Sequence, residues 1–145
     1  MKRFTLFATL LAALTIVAAA CSDDPTSPRA LAGLYALIDV DDVAVPATTD
    51  STANSVTRVT QGALNVDPNG TYTLVVAWQT TPTGGAPATD AYSQTGDLVV
   101  TGENAIRLEG DDDDDWIGVV EGNALRIAVL VTGISATSVE LRYRK

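Results

Sequence analysis

From residue 31 to the C-terminus, apolar and polar positions alternate with a period of two, the repeat of a strand with one buried face. The first strand is predicted over 34–40 and the second over 56–66. The third spans 71–79 and is the clearest, with Tyr72, Leu74, Val76 and Trp78 on one face and Thr71 and Thr73 on the other. A fourth runs over 92–100. In the fifth, Ile106 and Leu108 alternate with Arg107 and Glu109. The sixth covers 116–120. In the seventh, Leu125, Ile127 and Val129 alternate with Arg126 and Ala128, and in the eighth, over 139–144, Val139, Leu141 and Tyr143 alternate with Glu140, Arg142 and Arg144. No segment of this region carries a helical stripe.

Punctuation between these strands is uneven. Asp67-Pro68-Asn69-Gly70, Thr101-Gly102-Glu103-Asn104 and Glu121-Gly122-Asn123 are tight turns, in which Pro presets φ and Gly supplies the left-handed position. The other connections, over 41–55, 80–91, 110–115 and 132–138, are mostly longer. Eight antiparallel strands in sequence predict an all-β, up-and-down barrel, which removes the exposed edges of a flat sheet. A β-sandwich is the alternative. In the barrel, alternate loops share an end, so the long connections gather at one rim and both ends of the folded region lie at the other.

Residues 1–30 differ. Met1-Lys2-Arg3 is a short basic start, and Phe4 to Ala20 follows without a charge. At 1.5 Å per residue that run reaches roughly 25 Å, short for a bilayer core of about 30 Å. It ends in Ala18-Ala19-Ala20-Cys21, small residues of the kind a signal peptidase accepts. A cysteine directly after them resembles the lipobox of bacterial lipoproteins, with Ala18 where that pattern prefers Leu. The resemblance implies cleavage after Ala20, acylation of Cys21 by chains such as palmitate, and a mature protein that begins at Cys21. It also implies a cell-envelope location, and Ser22 points to the outer membrane where the cell has two. A plain secretory signal is the simpler alternative. Residues 21–30 read as the lipidated residue and a polar tether of at most about 30 Å, and 31–145 as the domain.

The folded part, 31–145, resembles the bacterial lipocalin-like lipoproteins. The residues that carry this are Gly33-Leu34-Tyr35 opening the first strand, Asp67-Pro68-Asn69-Gly70-Thr71-Tyr72 in the first tight hairpin, and the closing Leu141-Arg142-Tyr143-Arg144. Tyr35 stands where the family usually has Trp. The resemblance implies a small barrel that binds a small apolar molecule.

Composition narrows the chemistry. The 145 residues hold 9 basic and 18 acidic side chains, no His and one Cys. Loss of residues 1–20 removes two of the basic residues, so the net charge moves from −9 to −11. Such acidity argues against nucleic acid, whose phosphates need clustered Lys and Arg. Without His there is no Ser-His-Asp or Cys-His mechanism, and a single Cys allows neither an internal disulfide nor a thiolate cage. No nucleophile stands beside a base, so the expectation is a protein that is not an enzyme.

Two features remain as candidate sites. The aromatics Tyr35, Tyr72, Trp78, Trp116 and Tyr143 either line an apolar ligand pocket or fill the barrel. Within the run Asp111 to Asp115, the alternating Asp111, Asp113 and Asp115 offer oxygen ligands for weak Ca²⁺ binding. The plainer reading of that run is a solvated turn, since it lacks EF-hand spacing. No other cofactor is expected. The expected role is ligand binding by a lipid-anchored envelope barrel; the alternative is an envelope structural or protein-interaction module with a filled core.

Overall fold

The structure, a computed structural model, describes residues 26–112 and 114–145. The predicted signal segment, Cys21, the start of the tether and Asp113 lie outside the described residues. Ten strands follow a four-residue helix, α1 (Pro28–Leu31): β1 (Gly33–Val40), β2 (Val43–Ala44), β3 (Ala47–Ser51), β4 (Ser55–Val66), β5 (Thr71–Pro82), β6 (Ala88–Val100), β7 (Ala105–Gly110), β8 (Asp115–Glu121), β9 (Ala124–Val129) and β10 (Val139–Arg144). All neighbours pair antiparallel, in the order β2-β1-β10-β9-β8-β7-β6-β5-β4-β3. A further ladder from Gly33↔Val66 to Ala36↔Ala63 joins β1 to β4. The eight predicted strands therefore close into a barrel, and the sandwich is excluded.

The two extra strands lie in the first long connection, read from sequence as a plain loop. Asp41 and Asp42 both take positive φ, 50° and 63°, and fold β2 back on β1. Consecutive left-handed residues make a tight hairpin with the right twist, and Asp tolerates that region better than most side chains. β3 forms because β1 follows β4 for only four residue pairs and then leaves it. The outer half of β4 would otherwise show a bare edge, and β3 covers it from Ala47↔Val59 to Ser51↔Val56.

β6 also begins earlier than predicted. Its ladder with β5 runs from Thr71↔Asp97 to Thr80↔Ala88. With β7 it pairs only from Gly96↔Gly110 to Val100↔Ile106. The first half of β6 is thus an open edge beyond the ring. There the Asp90 carboxylate accepts a hydrogen bond from the Ala91 N–H at 2.8 Å.

Side chains of the inner face fill the barrel. Tyr72, Tyr143, Leu64, Leu74, Ile106 and Leu125 are among the largest fully buried ones. Burial of each such group contributes about 1.5–3 kcal/mol. Ala36 and Ala128 face outward. Gly118 faces inward, but a Cβ there would stand 2.8 Å from the Arg126 carbonyl oxygen and 3.0 Å from Ile106 Cγ1, so Ile106 occupies its space.

Both ends are closed. At the tight-turn end, Ser27 caps α1 by accepting from the Ala30 N–H at 3.2 Å, with Pro28 at the first helical position. Leu31 is buried, and its carbonyl accepts from the Tyr35 hydroxyl at 2.6 Å. Thr26 is buried too, so packing starts five positions before the boundary expected at 31. At the long-loop end, Val131 and Ile134 turn inward from the connection between β9 and β10. The Ile134 carbonyl accepts from Thr49 Oγ1 on β3 at 2.7 Å, and Gly133, at φ 103°, brings the loop over the Trp78 ring.

Candidate functional site

The five predicted aromatics all face the interior, because each falls on the inward parity of its strand. Tyr35, Tyr72 and Tyr143 lie in the half of the barrel nearer the tight turns, whereas Trp78 and Trp116 lie toward the long-loop rim. Tyr35 is wedged between α1 and Lys145, whose ammonium stands 5.0 Å over the ring. The Tyr72 hydroxyl donates to Gln94 Oε1 at 2.7 Å. Gln94 Nε2 donates in turn to the Asp114 carbonyl at 2.9 Å. Trp116 packs on Tyr92, with ring centroids 5.6 Å apart and planes tilted by 43°. Tyr143 is fully enclosed, and its hydroxyl has no hydrogen-bond partner among the described residues.

Burial keeps these phenols neutral. It pushes Tyr35 up to about 12 and raises Tyr143 further. It is also the first cause of the rise at Tyr72, where Tyr92, Asp111, Asp115 and Asp97 add to it. At neutral pH the phenols are hydrogen-bond donors, not bases. The buried polar side chains besides them are Thr26, Thr57 and Gln94, so the described interior offers amide and hydroxyl chemistry only.

The described part of the aspartate run is tied to the neighbouring strand. Asp111 donates its N–H to the Thr95 carbonyl at 3.0 Å, and its carboxylate accepts from Thr95 Oγ1 at 2.6 Å. Asp115 opens β8 opposite Glu109. Among the described residues, no three acidic side chains converge to hold a cation. The turn ties β7–β8 to β6 and so anchors Gln94 and Tyr72 behind it.

Surface depressions lie on the outer wall and rim. One of about 270 Å³ is lined by Gln61, Gly62, Ala63, Val75 and Ala77 on β4 and β5. Another of about 380 Å³ lies beside Asp50, Leu130 and Gly133 at the rim. Leu130, which lines the second just past β9, is exposed by 60%, and the outer wall of β8 exposes Ile117 by 69% and Val119 by 48%. Ion pairs frame this wall. Arg107 pairs with Glu109, and Arg126 bridges Glu121, Glu140 and Asp42. The hydrogen bonds to Glu121 and Glu140 raise the Arg126 pKa.

Gln94, the inward loop residues Val131 and Ile134, and the apolar wall are not in the sequence-based set. Gln94 had a signal, since it shares parity with Tyr92 and Leu98. Ile134 had none, standing alone among Thr, Gly and Ser. No protein-family profile, curated protein or solved structure matches the chain.

Proposed function

We propose that this chain is a cell-envelope barrel, anchored through acylated Cys21, that acts through its outside as a structural or protein-interaction module. The filled interior carries this reading. A molecule bound within would have to displace side chains that are already fully buried, at a cost of several kcal/mol in lost packing. The exposed Ile117, Val119 and Leu130 are instead where contact with a protein gains most. The anchor rests on the lone cysteine following three alanines after an uncharged run.

Native mass spectrometry of the protein extracted from membranes tests both parts. The expected spectrum shows acyl mass on Cys21, no small-molecule adduct on the barrel, and a complex with protein. A retained apolar ligand overturns the filled-module reading, and an unmodified Cys21 overturns the anchor.

A second reading, an apolar ligand inside the barrel, is favoured by one observation. The loop over Trp78 bends at Gly133 and plugs the mouth with Ile134, so its withdrawal would uncover an apolar space at the rim. Truncation by Ile134→Ala should then admit an apolar dye, whose fluorescence would rise on binding.

A further inference from the structure

We propose that the tight-turn end of the barrel seats on an anionic lipid surface through Arg29, Arg144 and Lys145, grouped about the exposed Leu34. This rests on the anchor reading and goes beyond it, by saying which face meets the leaflet and through which groups.

The first observation is distance. Thr26 is buried and Ser27 caps α1, so only residues 22–25 separate the packed barrel from Cys21. That is at most about 18 Å of extended chain. A longer tether would let the barrel tumble free, but this one holds the α1 end beside the headgroups.

The second is which charges are spent. Arg107, Arg126 and Arg142 on the walls are each paired with carboxylates. Among the described residues, Arg29, Arg58 and Arg144 have no ion pair and are exposed; Arg58 stands apart on β4 opposite Gln79, where its Nε donates to Thr48 Oγ1 at 3.3 Å. Lys145 Nζ reaches only the Ala30 carbonyl, at 3.3 Å, and the Tyr35 ring. Arg29, Arg144 and Lys145 belong to α1 and to the end of β10. Leu34, exposed by 68%, lies on the neighbouring wall of β1, one outward position from Ala36, the partner of Arg144. An apolar side chain among cations suits the boundary between headgroups and acyl chains.

The third is the opposite rim. Asp41, Asp42, Asp50 and Asp90 lie there, whereas Asp111 bonds Thr95 and shares a depression with Thr71 and Asp97; among the described residues, Asp67, Asp97 and Glu103 are the acids of the tight-turn end without an ion pair. From Ala36, opposite Arg144, to Asp41 is five residues of strand, about 17 Å, beyond a Debye length of about 8 Å. Upright, the barrel keeps its acidic rim out of the field of the surface. Lying down, it brings the carboxylates within it.

The test uses the full chain purified from membranes and reconstituted in phosphatidylcholine vesicles, with or without phosphatidylglycerol. Spin labels are placed through Asn123→Cys at the tight-turn end or Ala136→Cys at the rim, and the mass of Cys21 is read on the same samples. With phosphatidylglycerol, the label at 123 should be shielded from a water-soluble relaxant while the label at 136 stays accessible. Each neutralised cation weakens seating roughly fivefold, so Arg29→Gln with Arg144→Gln should raise the unshielded fraction at 123 more than tenfold. Equal accessibility of the two labels on an acylated chain overturns the seating and leaves the anchor standing. If Cys21 carries no acyl group the anchor falls. Cation-dependent flotation with phosphatidylglycerol vesicles then supports the seating, and no flotation overturns it.

Discussion

Three buried tyrosines show how a single hydroxyl can have opposite worth. The Tyr72 hydroxyl satisfies Gln94 Oε1, so Tyr72→Phe leaves a buried amide oxygen bare and should cost about 1–3 kcal/mol. The Tyr143 hydroxyl has no partner among the described residues, so Tyr143→Phe removes an unmet desolvation cost and should be neutral or stabilising. Urea unfolding of the two variants checks the contrast, and a loss at Tyr143 equal to that at Tyr72 would refute it. That these rings face inward was legible from strand parity. That only some of their hydroxyls have partners was not, because the partners lie on other strands or on a helix whose register a period of two does not specify.

At the scale of elements, the legible strands were those with strong alternation and a turn motif beside them. β5 after Asp67-Pro68-Asn69-Gly70 is the plainest. β3 was illegible because Ala-Thr-Thr-Asp-Ser has no apolar alternation, and it is a strand only because β4 has a vacant edge. α1 was illegible because four residues cannot show a helical stripe, although Ser27 and Pro28 are a cap and a first-turn residue. The aspartate run was legible as a turn, but its bond to Thr95 was not. The open half of β6 invites addition of another strand, and the Asp90 carboxylate occupies one of its N–H groups. Asp90→Ala should leave the melting temperature nearly unchanged while promoting concentration-dependent association. Light scattering at increasing protein concentration checks this, and a variant as monodisperse as the parent removes the protective role.

The whole molecule should be stable at neutral pH and fail in alkali. Tyr35, Tyr72, Tyr92 and Tyr143 all have pKa values raised above the ordinary value of 10.0, each chiefly by burial. Below pH 10 these groups are neutral in both states, and their contribution is fully present. Above it the unfolded chain releases phenolic protons while the folded chain retains them, so stability falls as pH rises, toward about 12 for Tyr35. Chemical unfolding at a series of pH values should show the decline beginning near 10 and becoming shallower in Tyr35→Phe. A flat profile through that window would contradict the burial of these rings.

The seam between β1 and its neighbours has a consequence for biogenesis. Ala36 finds Arg144 across almost the whole length of the chain, and the cylinder has no other way to shut on that side. Loop closure over so long a span is slow. A nascent chain, made from its N-terminus, delivers β1 before any of its lateral neighbours and β10 after all of them. Its earliest strand must wait, unmated along one flank, until the final residues have been released.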